Sequence, residues 1–223
     1  MSRLRSQAGF SLIELLVAMI IGMATILAAF TLIDTTTTHS ARVTARTDAS
    51  QRGRIALDAM TRQLRSQVCV NGVAPILAAT PNQITFTTDL SGTGASDLRS
   101  LTFDSTLRRL NQSVTLSNGL PEPGRLFTGA TTTTTLLADV VADTTQPIFT
   151  YWADKPGTGG SQLLPLAATV PVSDLKRIAR IDIAFVARAS GASTTSTWSS
   201  TLEDSITVRA IEANNADPTI ACS

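Results

Sequence analysis

Histidine occurs once in these 223 residues, at His39, and cysteine only twice, at Cys69 and Cys222. One imidazole leaves no redundancy for a histidine-based catalytic triad. Two cysteines are too few for a disulfide scaffold and lack the spacing of a metal site. Lysine is confined to Lys155 and Lys176; arginine carries nearly all the positive charge, which reads as a composition bias of the genome. The net charge of +1 supplies no global field toward nucleic acid or acidic ligands. No G-x-S-x-G, G-x-G-x-x-G, P-loop or H-E-x-x-H motif occurs, and Gly157, Gly159 and Gly160 read as a turn rather than a phosphate loop. Proline is missing before Pro75, so nothing in the first third of the chain forbids a continuous helix.

What is present is uneven. The apolar fraction, 43%, is ordinary, but much of it lies between Phe10 and Ile33. Met1 to Gly9 is a short polar stretch carrying Arg3 and Arg5. Leu15–Ile33 then runs nineteen residues without a charge, enough at about 1.5 Å per residue to cross a hydrocarbon core of roughly 30 Å. A cleavable secretory signal fits poorly, because its apolar region is shorter, roughly 7–15 residues, and ends in an A-x-A-like site. A simple signal anchor remains the plain alternative on hydropathy. Flanking charge does not fix orientation: Arg3 and Arg5 on one side are balanced by Arg42, Arg46 and Arg52 on the other.

From Phe10 to about Val68 only Gly22 and Gly53 weaken a helix-compatible sequence, with a soft spot at the β-branched run Thr35–Thr38. Leu57, Met60, Leu64 and Val68 form a narrow apolar stripe, and Asp58 is spaced to pair with Arg54 or Arg62. Beyond Pro75 the pattern becomes β-branched with period two. Strands are expected at Gln83–Thr88, Leu98–Phe103, Thr106–Leu110, Val114–Leu116, Pro147–Trp152, Ala179–Ala187 and Ser205–Ala210. Turns are expected at Ser91–Ser96, Asn118–Gly124, Pro156–Ser161 and Ser190–Ser193, and a surface loop at the low-complexity run Thr131–Thr135. The fold class is therefore α+β: one long N-terminal helix packed on an antiparallel sheet.

The most informative stretch opens the apolar segment: Gly9-Phe10-Ser11-Leu12-Ile13-Glu14-Leu15. Gly9 carries no side chain, so its backbone can be approached closely. A carboxylate at Glu14, inside an apolar run, costs a few kcal/mol and calls for a partner or a role, the bland reading being a glutamate tolerated near a helix start. The stretch resembles the prepilin processing site of the type IV pilin superfamily. Further on, Gln51–Arg65 is similar to the end of the helix in J-type minor pseudopilins of type II secretion and in W-type minor pilins. Leu101-Thr102-Phe103 with Leu107-Arg108-Arg109, Leu136–Val141 leading to Phe149–Trp152, and the closing strand Ile178–Val186 are similar to their later units.

The resemblance implies cleavage between Gly9 and Phe10 by a prepilin peptidase, N-methylation of Phe10, and pairing of Glu14 with the N-terminal ammonium of a neighbouring subunit during assembly. It implies residues 1–9 as a cleaved leader, 10–33 as a transmembrane helix, 34–68 as its extension outside the membrane, and 69–223 as an extracytoplasmic β-rich domain. The protein would then be a single-pass cytoplasmic-membrane protein with its N-terminus inside, held there by Arg3 and Arg5. It would be a structural subunit with no enzymatic activity and no cofactor or metal. Its partners would be the peptidase, an inner-membrane assembly platform, membrane lipid and other minor and major pilins or pseudopilins. Small-xxx-small spacings at Ala18/Gly22, Ala24/Ala28 and Thr25/Ala29 suit close helix packing. Superfamily members often tie their C-terminal region with a disulfide, and an oxidising compartment permits one between Cys69 and Cys222; two free thiols are the alternative. His39 reads as a solvated interfacial residue. Asp48 and Asp58 among the arginines from Arg42 to Arg65 read as a solvated face rather than a nucleic-acid contact. Two rivals stand beside this reading: a DNA-uptake pseudopilin of the same superfamily, and a bitopic membrane protein whose outer domain binds a ligand or acts as an enzyme.

Overall fold

A computed structural model describes residues 11–90, 96–158, 162–190, 199–208 and 222. The turns expected at Ser91–Ser96 and Ser190–Ser193 lie outside the described residues except for Ser96 and Ser190, and so do Ala210 and the end of Pro156–Ser161. The chain divides into two compact units at Thr44/Ala45. Helix α1, Leu12–Arg65, runs through that division for 54 residues.

In the first unit α1 is built from Leu, Ile, Met and Ala, all good helix formers. The threonine soft spot does not interrupt it. The hydroxyls of Thr35, Thr36, Thr37 and Thr38 donate back to carbonyls three or four residues earlier, at 2.7–3.0 Å. Those bonds absorb the polarity of the side chains within the helix itself.

In the second unit the last turns of α1 carry a buried ridge of Ala49, Gly53, Ala56, Met60 and Leu64, spaced by three or four residues. This ridge differs from the expected stripe. Met60 and Leu64 are fully buried, Leu57 and Val68 are only half-buried, and the N-terminal part of the ridge is made of small residues. The helix also stops at Arg65, short of Val68. Threonines at the end of the second strand capture the chain: Val68 N–H donates to the Thr87 carbonyl at 3.1 Å, and the Thr87 hydroxyl donates to the Val68 carbonyl at 2.6 Å.

Two antiparallel sheets follow. The first is a meander in chain order: β1 (Ile76–Thr80), β2 (Gln83–Thr88), β3 (Asp97–Asp104), β4 (Arg109–Thr115) and β5 (Thr131–Ala138). The second has the order β10-β9-β7-β8, from β7 (Phe149–Asp154), β8 (Leu163–Pro165), β9 (Ile178–Arg188) and β10 (Ser199–Thr207), with the short β6 (Val140–Val141) also paired to β9. A one-turn helix α2, Val172–Leu175, precedes β9. The ridge of α1 shares one core with both sheets. That core includes Ile84, Phe86 and Leu101 from the first sheet and Tyr151, Ile181 and Phe185 from the second. Tyr151 ties the sheets together: its hydroxyl donates to the Thr80 and Gln83 carbonyls at 2.9 and 3.2 Å. Burial pushes this phenol above its ordinary pKa and keeps it a donor.

Two expectations are corrected here. The strand expected at Thr106–Leu110 forms only over Arg109 and Leu110, because the Asp104 carboxylate accepts from the Thr106 and Leu107 N–H groups, each at 2.9 Å, and folds the residues before Arg109 into a turn. Strand β4 starts at Arg109 and takes in the residues read as a separate strand at Val114. The Thr131–Thr135 run is no loop but the first part of β5. Its hydroxyls bond across to β4 at Thr115, Ser113 and Asn111, and β-branched side chains suit a pleated sheet.

Candidate functional site

Gly9 and Phe10 lie outside the described residues. Ser11 is the first described residue and caps α1: its carbonyl accepts from Glu14 N–H at 3.1 Å and Leu15 N–H at 3.2 Å, and its Oγ accepts from Glu14 N–H at 3.3 Å. The order Ser11-Leu12-Ile13-Glu14 has the S-x-x-E spacing of a capping box, a local signal that reading Glu14 for its charge alone overlooks. Glu14 thus occupies the first turn, where the positive end of the helix dipole favours a carboxylate. Its side chain is exposed and stands among exposed apolar neighbours.

Those neighbours are the unusual feature. Leu12 is 82% exposed, Met23 70% and Ile26 57%, and none of the apolar window of α1 is buried by the rest of the fold. By length and composition this helix can cross a membrane. A methyl group added at Gly22 would meet nothing within 4 Å, so the small-residue spacings at Ala18/Gly22 have open space beside them. An apolar surface of this size in water marks a face meant for lipid or for another protein.

The second unit holds the other predicted residues. Cys69, in the extended segment after α1, is joined to Cys222 in a disulfide with Cα atoms 5.6 Å apart, closing a loop of 153 residues. In the chain-entropy model a loop of that length restricts the unfolded chain by about 5 kcal/mol. His39 is exposed on α1. Asp58 pairs with Arg62 rather than Arg54, at 2.6 Å, and Asp48 pairs with Arg52 at 2.9 Å. The clearest depression on the second sheet, about 430 Å3, is lined by Gln146, Arg180, Asp182, Glu203 and Ser205. Several of its polar groups bond to one another, while Arg180 Nε and Asp182 Oδ1 are buried without a hydrogen-bond partner among the described residues. Asp182 accepts from Trp152 Nε1 at 2.6 Å and from Arg180 at 2.9 Å, and Gln146 donates to Glu203 at 2.8 Å. Among the described residues the distinctive surface is the apolar run of α1.

Residues 4–30 match the family model described as the prokaryotic N-terminal methylation motif. No curated protein and no solved structure matches the chain. A methylation motif opening a long apolar helix, ahead of antiparallel sheets, supports placing this chain in the type IV pilin superfamily.

Proposed function

We propose that the chain is a minor pilin or pseudopilin, a non-enzymatic subunit anchored in the cytoplasmic membrane and assembled into a pilus or a type II secretion pseudopilus. The observation that carries the proposal is the methylation motif at the head of an apolar helix that its own fold leaves uncovered. In this reading residues 1–9 are a leader retained on the cytoplasmic side by Arg3 and Arg5 and removed by a prepilin peptidase between Gly9 and Phe10. Phe10 is then methylated on its new amine. Residues 10–33 lie in the membrane, 34–68 continue outside it, and 69–223 form the extracytoplasmic domain, where an oxidising compartment suits the Cys69–Cys222 bridge.

Glu14 acts at assembly. In a low-dielectric filament core or bilayer its carboxylate pairs with the N-terminal ammonium of a neighbouring subunit and favours one axial register. The other partners are the inner-membrane assembly platform and further minor and major pilins. The minor subtype rests on the likeness of Gln51–Arg65 to J-type and W-type helices and on a domain that is large for a repeating shaft subunit.

Intact-mass analysis of the protein from a peptidase-competent host tests the proposal. The expected chain begins at Phe10 and carries one added methyl group. A chain still beginning at Met1 or Ser2 refutes it and favours the bitopic ligand-binding protein.

A further inference from the structure

The two sheets turn chemically different faces away from the core. On the second sheet Trp152, Arg180, Asp182 and Glu203 mix an aromatic ring with charge. The first sheet points Ile84, Leu101 and Leu110 into the core, and the residues alternating with them face outward. One outward row across β2, β3, β4 and β5 reads Gln83, Thr102, Asn111 and Thr135. The next reads Thr85, Ser100, Ser113 and Thr133. All of these side chains carry a hydroxyl or an amide and none a charge, although 16% of the chain is charged. Charge returns at Asp104 and Arg109, one row further on. With about 4.8 Å between strands, each row spans roughly 14 Å, and the two rows lie about 6.8 Å apart.

We propose that this outward face of the first sheet binds a neutral polysaccharide. The occupant is selected by what the face lacks and by what its groups leave unused. Without charge, the two rows hold nothing that would pair with an anion or a cation. Without apolar or aromatic side chains, they offer neither lipid nor a protein partner the buried anchors on which such contacts centre. The hydroxyls bond across strands: Ser113 with Thr133 at 2.9 Å, Thr85 to Ser100 at 3.2 Å, and Thr135 to Asn111 Oδ1 at 3.0 Å. A hydroxyl has one proton and two lone pairs, so Ser113 and Thr133, joined by one bond, keep a proton and lone pairs for an outside group. Asn111 Nδ2 and Gln83 Oε1 make no hydrogen bond among the described residues. Donors and acceptors therefore stand side by side a few Å apart, uncharged and facing outward. The complementary surface is one whose own groups both donate and accept at that spacing, as the hydroxyls of a sugar chain do. The inference rests on the first sheet alone and holds whether or not α1 enters a membrane.

Retention of the full-length chain on insoluble polysaccharide tests it, in a detergent without a sugar headgroup. The probes are cellulose, chitin and starch granules. The chain should be retained on at least one of them, and retention should survive about 1 M salt, because no charge takes part. Ser113→Lys, which sets a cation within the array, should lower retention about tenfold. Thr133→Val keeps the branched shape and the strand preference but removes a hydroxyl, and should lower it about threefold with the fold intact. Thr201→Lys, at an exposed position on β10, should leave it unchanged. Retention on none of the three probes, loss of retention in salt, or equal retention of Thr133→Val and wild type would each overturn the proposal. Shaping of growing ice crystals without retention on any polysaccharide would overturn it in favour of ice as the occupant.

Discussion

The two stretches of helix α1 invert the usual relation between hydrophobicity and burial. From Leu12 to Ile33 the helix is almost wholly apolar, and none of its apolar window is buried among the described residues. From Ala49 to Leu64 it carries four arginine or aspartate side chains, yet one face is sealed in the core. Small residues account for the difference. An added Cβ at Gly53 would run into the Leu202 side chain and come within 3.0 Å of the Ala187 methyl, so the backbone of α1 lies almost directly on β9 and β10 there. Three polar bonds clasp the same stretch: Arg52 to the Arg188 carbonyl at 3.2 Å, Thr61 to Asp204 at 3.0 Å and Gln63 to Gln112 at 2.6 Å. One stretch finishes its packing within the chain. The other requires surroundings the chain does not provide.

Replacing the acid of the apolar stretch gives the largest expected effect. Glu14→Leu should leave membrane insertion unchanged or easier. It should deplete the protein from purified assemblies, because breaking one member of a buried pair costs roughly 3–5 kcal/mol. Recovery of the variant in assembled complexes at the wild-type level would show that Glu14 is only a helix-capping residue.

Truncation of apolar side chains compares the stretches next. Met60→Ala empties a site with no solvent exposure and should lower the stability of the sheet-bearing unit by about 2–5 kcal/mol. Ile26→Ala, at a side chain already 57% exposed, should change it by less than about 0.5 kcal/mol. Denaturant unfolding of the full chain in detergent, followed by tryptophan fluorescence, measures both. Glycine replacement follows the same logic at smaller size. Gly53→Leu should cost about 1–3 kcal/mol through overpacking against Leu202. Gly22→Leu meets open space and should leave the unfolding midpoint where it was.

How much of this was legible in the sequence depends on whether the signal is local. The apolar run and the absence of proline announce α1, and regular alternation places β2, β3 and β9 within a residue or two of where they form. Strand β10 starts earlier than its pattern indicates because Asp204 falls between Leu202 and Ile206 on the inward face, and Thr61 satisfies it. Nothing near Asp204 in sequence reveals that partner. The helix ridge was half hidden for a similar reason: Ala49, Gly53 and Ala56 are buried by close approach, which hydrophobicity scales do not register. The threonine run reads as a loop because its stabilising partners on β4 lie 16–24 residues away. At the N-terminus the informative residues are consecutive, so the methylation motif is legible without any tertiary knowledge, and the S-x-x-E spacing that caps α1 lies in the same residues.

The smallest effect tests whether the outer side of the second stretch is solvated. Asp58 and Arg62 pair at 2.6 Å with their side chains 71% and 68% exposed, so solvent screens their attraction and holding both side chains in place costs entropy. Asp58→Ala should therefore lower stability by only about 0.3–0.5 kcal/mol, and the difference should vanish near 1 M salt. Arg52 offers the internal contrast, because it pairs with Asp48 and also donates to the Arg188 carbonyl of β9. Arg52→Ala should cost roughly 1 kcal/mol more, and that excess should survive salt, since a hydrogen bond to a half-buried carbonyl is poorly screened. Urea titrations at low and high salt separate the two. A loss above about 1 kcal/mol for Asp58→Ala, undiminished by salt, would mean that this side of α1 is packed against something rather than solvated, and the division of the helix into one sealed face and one wet face would have to be redrawn.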